Sequence, residues 1–504
     1  MEKNFSSIFF ILIFSTCYGQ KEANYWAFGD NVGINFNNNY FCPFNGTNLD
    51  QPGGSAAISN PLTGELLFYT DGRNVFNRNF NFMPNGTGLY GGFQTSQAAL
   101  IIPHPGNNDH YLVFTTRSFS DSVELYNEGL INTGLHYSIV DMSGDNGMGA
   151  VRRDRKNTLL LKKATEKLTA VRHDNMKDYW IISHEWGSNK FVVYLLNSKG
   201  VNLSDSFSFG NSFGHYEAQG WLLPSPDGTM LACAVSSLQS ETAPLQLLDF
   251  NSLTGEISNY RELGEYPQLN GVSFSPDNSK FYFSYFDTDQ DNPTGNLSQM
   301  DLSEESLEAI INSKTDIVFL HQIRDNREVY DTLSGGALQL APDGRLYTSL
   351  TGAYLTSEAP ESEINYRIFC INKPNLPGLL CEPSNRKFNA IIRAGNGSSF
   401  PNFLQHTFNN LEPIDNFGEC NEKCTDPISI IYPNPTPGIV NINLNKNCYL
   451  NGYLTIYSVL GKHLGMFEVT NDSFAIDISL FSSGLYMFVF QFPNNQISKK
   501  VIKL

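Results

Sequence analysis

Three stretches of the chain repeat one phrase. Leu222 opens "LLPSPDGTMLACAVS", Val272 opens "VSFSPDNSKFYFSYF" and Leu338 opens "LQLAPDGRLYTSLT". Each is an apolar run, a Pro-Asp-Gly or Pro-Asp-Asn corner, and a second apolar run. Proline presets φ for the corner, aspartate accepts from nearby amides, and Gly or Asn takes a positive φ. The phrase is therefore a β-hairpin. Weaker copies start at Ala56 ("AAISNPLTGELLFYT"), Ala99 ("ALIIPHPGNNDHYLVFT") and Thr169 ("TAVRHDNMKDYWIIS").

Most copies are followed by a further strand and a polar turn, as in "LHYSIVDM", "FVVYLLNSKG" and "LQLLDFNSLTG". Each unit then holds two hairpins, or four strands. Corners near 61, 105, 175, 226, 276 and 342 stand roughly 45 to 70 residues apart, at or above the upper end of propeller repeats. Four-stranded units repeated radially make a β-propeller. Six units are visible in the sequence. A seventh is expected from the two ends of the body, by pairing "NYWAFGDNVGINFN" (24–37) with "GSSFPNFLQHTF" (397–408), which also removes two exposed sheet edges. The expected fold is all-β: a seven-bladed propeller, with six or eight blades as alternatives, over residues 20–410, then a linker over 411–427 and a small C-terminal β-sandwich over 428–504. A β-sandwich array is the competing architecture for the body.

Composition agrees with many short strands. Aromatic residues make up 13%, glycines number 41 and charged residues are only 16%. The net charge is −17 and is not shared evenly. Residues 428–504 hold five lysines against three acidic residues, about +2, which leaves about −19 on the rest. A surface so negative repels phosphate backbones, so nucleic acid is not an expected partner.

The head carries a small basic region at Lys3, a short apolar core from Ile8 to Phe14, and Cys17-Tyr18-Gly19 with small residues where a signal peptidase reads. Residues 1–19 are expected to be a signal peptide cleaved before Gln20; a lipoprotein cysteine at Cys17 is the alternative. No later stretch is long and apolar enough for a transmembrane helix. Eight cysteines on an oxidising route make disulfides plausible, with Cys420–Cys424 and Cys370–Cys381 as candidate pairs. Their spacing does not suit zinc.

The tail starts with "IIYPNPTPGIVNINL". Three prolines bar helix and central strand, Gly438 releases the chain, and Val440, Ile442 and Leu444 alternate with asparagines as a half-buried strand does. "YLTIYSVLGKHLGMFEV" reads as two strands joined at Gly461-Lys462. "FAIDISLFSSGLYMFVFQF" reads as two strands around Ser482-Ser483-Gly484. Together with the terminal "KKVIKL", these motifs resemble, in order and spacing, the type A sorting domain of the type IX secretion system of Bacteroidetes. The resemblance implies an export label read by the type IX machinery and a chain that ends at the cell surface or in the medium. It falls on Tyr432, Pro433, Asn434, Pro435, Gly438, Gly461, Lys462, Gly484 and Tyr486. The body phrases "NYWAFGDNVGINF", "GELLFYTDGRNVFNRNFNFMPNGTGL", "SQAALIIPHPG" and "YWIISHE" resemble WD-like or TolB-like propellers of secreted Bacteroidetes proteins, some labelled gliding-motility-associated. That family brings no agreed catalytic residues.

The sequence carries few motifs of catalytic or metal-binding chemistry. "HEWGS" from His184 lacks the second histidine of a zinc protease motif, no G-x-S-x-G elbow occurs, and the Pro-Asp-Gly corners are compressed relative to sialidase aspartate boxes. Asp287, Asp289 and Asp291 alternate like the first ligands of a calcium loop, but position twelve is Ser298 rather than glutamate. Calcium is the only cofactor the sequence suggests, and a solvated acidic turn is the plainer reading. Trp26, Trp180, Trp186 and Trp221 read as blade packing, with one at the mouth able to stack on a sugar. Two functions follow: a non-enzymatic binding or adhesion propeller for a protein or glycan, or a polysaccharide hydrolase with carboxylates at the mouth.

Overall fold

A computed structural model describes residues 21–37, 40–117, 133–214, 217–236, 242–287, 294–321, 336–349, 367–387, 399–414, 418–419, 428–444, 452–469, 473–492 and 495–504. The body is a ring of seven sheets. Six are built from four consecutive antiparallel strands, over residues 56–87, 99–151, 164–213, 222–266, 272–321 and 338–387. In the second of these, Thr158–Leu161 also pairs with the third strand. From the first sheet round to the last, each inner strand touches the inner strand of the sheet that follows it in the chain. The ring closes where Tyr347 of the last sheet meets Trp26 and Phe41 of the first, with ring centroids 6.0 and 5.5 Å apart. The apolar core lies between neighbouring sheets, as stacked blades require.

The repeated corner behaves as its residues dictate. Asp227 accepts from the Ser225 hydroxyl at 2.6 Å and from the Thr229 amide at 3.0 Å. Asp277 does the same with Ser275 and Ser279. The third corner position takes φ of +75° at Gly228, +64° at Asn278 and +75° at Gly344. These are left-handed values that Gly and Asn accept most readily.

The first sheet differs from expectation. Tyr25–Asn35 pairs at once with Tyr40–Gln51, and Gly418–Glu419 adds to Tyr40–Gln51 in parallel. The expected seventh blade pairs 24–37 with 397–408 and assigns no strand to "YFCPFNGTNLDQ". Gly46 and Asn48 do take positive φ, inside a large bulge opposite Asn31, yet pairing resumes on both sides. Because Gly418–Glu419 still belongs to the ring, the linker expected at 411–427 starts with ring-bound chain.

Of residues 397–408, expected to hold the closing strand, the described part, 399–408, does something else. The chain from 399 to 414 runs down the axis of the ring. Pro401 bridges Ser55 in parallel, and the Asn402 amide donates to the Ser55 carbonyl at 2.8 Å. The Asn402 side chain donates to the Leu168 carbonyl at 3.0 Å. Gln405 reaches Gln339, the Asn410 amide reaches the Pro276 carbonyl, and the Ile414 amide reaches the Asp343 carbonyl. Ser55 begins an inner strand, Leu168 and Gln339 lie within inner strands, and Pro276 and Asp343 follow inner-strand ends. The segment therefore travels with the inner strands from one rim to the other. Phe400 and Phe408 are fully buried, and Phe400 packs at 5.1 Å from both Trp26 and Phe28.

The tail is a second unit. Ile428–Tyr432, Ile439–Leu444 and Ser473–Asp477 form one sheet. His463–Val469, Gly452–Ser458, Gly484–Phe492 and Asn495–Lys503 form the other. Val440, Ile442, Leu454, Ile456, Phe488, Phe490 and Val501 fill the space between them. This is the small sandwich read from the sequence.

Removing the anchor of the axial strap tests its weight. Phe400→Ala should cost about 3–5 kcal/mol and lower the thermal midpoint of the ring transition. Leu62→Ala, at a side chain 75% exposed, should leave that midpoint unchanged in the same melting experiment.

Candidate functional site

Two places concentrate polar side chains: a bulge on one inner strand of the ring, and one end of the tail. The bulge lies in Ala164–Arg172, where register with Tyr179–Glu185 shifts between Ala164 and Leu168. The extra residues turn two charged side chains toward opposite neighbours. Glu166 accepts from the Ser96 amide at 2.7 Å and from its hydroxyl at 2.8 Å. Lys167 donates to the carbonyls of Glu217, Ala218 and Gln219, the last at 2.8 Å. Its ammonium also stands 5.1 Å from the centre of the Phe213 ring. Burial pulls the Lys167 pKa down, and three carbonyls plus an aromatic face are what hold the charge there. The adjacent Gln97 accepts from the Leu168 and Leu222 amides and donates to the Leu222 carbonyl. Every one of these bonds joins different blades, so the cluster is a latch between sheets.

Cys233 and His184 lie beside the latch. Burial pushes the Cys233 thiol up to about 11 and His184 down to about 3. His184 sits between Phe191 and Phe213, and neither ring nitrogen has a hydrogen-bond partner among the described residues. A thiol so reluctant to ionise is no nucleophile at neutral pH. Among the described residues no group of three or more His, Cys, Asp or Glu could hold a metal ion.

The residues singled out in the sequence fall as follows. Asp287 ends the strand Lys280–Asp287 and pairs with Thr294. Asp289 and Asp291 lie outside the described residues, as do Cys420, Cys424 and the signal segment. Cys370 and Cys381 do not form the candidate disulfide; both are buried thiols. Cys370 lies in a strand between Tyr347 and Ser384, whereas Cys381 closes a short helical turn and hydrogen-bonds Tyr282. Cys42 is disulfide-bonded, to a partner outside the described residues. Trp26, Trp180 and Trp221 are core. Trp186 is half-buried in the turn between Tyr179–Glu185 and Ser188–Asn197, with the Lys163 ammonium 5.7 Å from its ring centre.

At the tail, motifs scattered over seventy residues meet at one end of the sandwich. Tyr432 ends a strand, and Pro433, Asn434 and Pro435 are exposed in the connection that follows. Asn434 imitates a backbone unit. Its amide nitrogen donates to the Lys500 carbonyl at 2.8 Å, and its carbonyl oxygen accepts from the Ile502 amide at 2.9 Å. Thr436 continues the ladder: its amide donates to the Ile502 carbonyl at 2.8 Å, and its own carbonyl accepts from the Leu504 amide at 2.9 Å. Gly438 is buried, and a Cβ there would stand 2.9 Å from that of Ser479, so a side chain needs that neighbour to shift. Gly461 takes φ of +78° in the turn that Lys462 closes back to Ser458. Gly484 pairs with Lys503, and Tyr486 donates its hydroxyl to the Ser482 carbonyl at 2.6 Å. The sequence marked these residues but did not disclose that the Pro-Asn-Pro connection pairs with the last strand.

Comparison with known proteins bears on the tail. Residues 430–504 match the family model of the secretion system C-terminal sorting domain. The tail is thus the sorting domain of the type IX route, and a chain that bears it is exported to the cell surface or secreted. No curated protein matches the chain. Among solved structures, a functionally unknown protein from Desulfotomaculum acetoxidans DSM 771 aligns at 10% identity and TM-score 0.37, over 75% of this chain and 99% of that one. The periplasmic gluconolactonase of Pseudomonas aeruginosa aligns at 11% and 0.32, over 65% and 94%. The β-propeller domain of the Trilobed protease of Pyrococcus furiosus aligns at 8% and 0.24, over 67% and 83%. Likenesses at this level carry no argument about activity, and the propeller rests on the sheet order given above. No helix among the described residues is long and apolar enough to cross a membrane.

Two measurements check these sites. Asn434→Ala removes two hydrogen bonds, at about 0.5–1.5 kcal/mol each, and should speed exchange of the Ile502 amide while that of buried Phe488 stays slow. For His184, the folded pKa of about 3 lies below the unfolded value near 6.5, so the unfolded chain binds the proton more readily. The neutral side chain's contribution is complete above pH 6.5 and is lost as pH falls from there toward 3. His406, also lowered to about 3, and His136, lowered to about 4, act in the same sense. Denaturation midpoints should therefore fall between pH 6.5 and 4, and His184→Phe should flatten that fall.

Proposed function

We propose that this protein is an exported binding or adhesion protein: the ring is the cargo that meets a protein or glycan ligand, and residues 428–504 are the address that sends it outward. The observation that carries the binding reading is the axial strap. Phe400, Asn402, Leu404, Gln405 and Phe408 occupy the channel, so ligands are left the two rims. Rim loops on a rigid scaffold are where propellers engage partners. Two aromatic side chains support a stacking role on one rim. The Arg73 guanidinium lies 4.6 Å over Phe93, which is 40% exposed, and Lys163 stands over Trp186. Arg73 and Trp186 both belong to turns between the second and third strands of their sheets. The signal peptide at 1–19 and a Bacteroidetes origin complete the reading, since the type IX route starts in the periplasm.

Glycan arrays probed with the full chain should give binding without turnover, weakened by Trp186→Ala. Release of reducing sugar that a single carboxylate substitution abolishes would replace this reading with a hydrolase. Deleting residues 428–504 should leave the ring folded and trapped in the periplasm; normal appearance of the truncated protein in the medium would end the address reading.

A further inference from the structure

The motif end of the tail also carries an apolar surface that its fold does not use. Leu460, in the turn Ser458–Lys462, is 93% exposed, and Leu480, in the loop between Ser473–Asp477 and Gly484–Phe492, is 98% exposed. Ser458 pairs with Tyr486, and the Phe481 ring packs 5.2 Å from that of Tyr486, so both loops leave the sandwich at the same end. Val459 at 60%, Ile439 at 55% and Ile502 at 44% extend the surface around them. Single exposed leucines are ordinary, and the ring has its own at Leu62, Leu203 and Leu253. Two leucines at the tips of neighbouring loops, each almost wholly in water and ringed by further aliphatic side chains, are not.

The charges at this end have one sign in excess. Lys462 and Lys500 are exposed there, against one acidic side chain, Asp477, which already accepts from the Ser479 amide at 2.8 Å, and the Leu504 carboxyl group, to whose oxygen the Lys503 ammonium donates at 2.8 Å. The only other acidic side chain among the described residues of the tail, Glu468, pairs with Tyr453 toward the opposite end of the sheet. The tail as a whole is about +2 while the rest of the chain is about −19. Apolar loop tips flanked by lysines match a bilayer interface, where leucines enter the acyl region and ammonium groups meet headgroup phosphates. A strongly acidic ring is repelled by the same surface, so the tail is the part that faces it.

We propose that the motif end of the tail is a membrane-docking tip that inserts Leu460 and Leu480 into a bilayer bearing anionic headgroups, with Lys462 and Lys500 on the phosphates. The contact is with lipid and stands apart from recognition by the export machinery. The full chain is mixed with sedimentable vesicles of phosphatidylglycerol and phosphatidylcholine, and with vesicles of phosphatidylcholine alone. Sedimentation is expected with the anionic vesicles at low salt, a several-fold smaller bound fraction for L460S/L480S, and loss of the anionic preference for K462E/K500E. L62S, at a leucine 75% exposed on the ring, should bind as the parent does. Thermal melting confirms that each variant is folded, because none of the four tip side chains is buried. Absence of sedimentation, or sedimentation that L460S/L480S leaves unchanged, overturns the proposal. So does export lost by L460S/L480S while vesicle binding persists, since the leucines then serve a protein receptor. Failure of the truncation test above leaves vesicle binding unaffected, so the two readings fall separately.

Discussion

Seven sheets arranged in a ring face inward with strands as short as three residues, such as Leu222–Pro224 and Val272–Phe274. Such strands cannot close a channel by themselves, and the axial segment 399–414 supplies what they lack. It brings Phe400 and Phe408 to the centre and gives hydrogen bonds to carbonyls of four different sheets, at Ser55, Leu168, Pro276 and Asp343. Buried backbone groups need partners, and here one passing segment meets the demand for several blades at once. The strap is made of residues that follow all six four-stranded blades in the chain. Ring closure accordingly rests on contacts between residues far apart in sequence, with the entropy cost that such contacts carry.

The latches at the bulge work by the same rule on a smaller scale. Burying a lysine is costly unless its donors are met, and Lys167 meets three carbonyls of the chain that leads into the next blade. Glu166 faces the other way and caps the amide and hydroxyl of Ser96. One blade thus grips both neighbours with charges of opposite sign. Apolar packing between blades tolerates sliding; directed bonds to specific carbonyls do not. The bulge therefore fixes how the blades are set against one another as well as adding to stability.

The local chemistry of the chain was open to reading, and its long-range geometry was not. Pro-Asp-Gly corners declare hairpins because one residue presets φ and another accepts positive φ, both local properties. The tail was legible for the same reason, since alternation at Val440, Ile442 and Leu444 reports a buried face directly. "YFCPFNGTNLDQ" went unassigned because glycine and asparagine inside it form a bulge, and only a partner strand reveals whether such residues interrupt a strand or end it. "SSFPNFLQHTF" misled because full burial removes alternation, so an axial strap and a core strand look alike in sequence. The Cys370–Cys381 pairing failed on direction: one thiol sits in a strand and the other bonds to Tyr282, a relation that spacing along the chain does not encode.

The tail shows how a short motif can depend on its whole domain. Asn434 lies sixty-eight residues before Ile502 and holds it by a side chain that copies a peptide group. A proline on either side prevents any helix or central strand from claiming that asparagine. Together with Thr436 it covers the outer edge of the last strand, an edge that otherwise offers free backbone groups to other chains. The arrangement exists only after both sheets have assembled, since the strand it covers is held by Gly484–Phe492 and the Pro-Asn-Pro connection leads into Ile439–Leu444. A receptor that reads this end reads folded protein, and an unfolded tail, though it holds the same residues, presents a different surface.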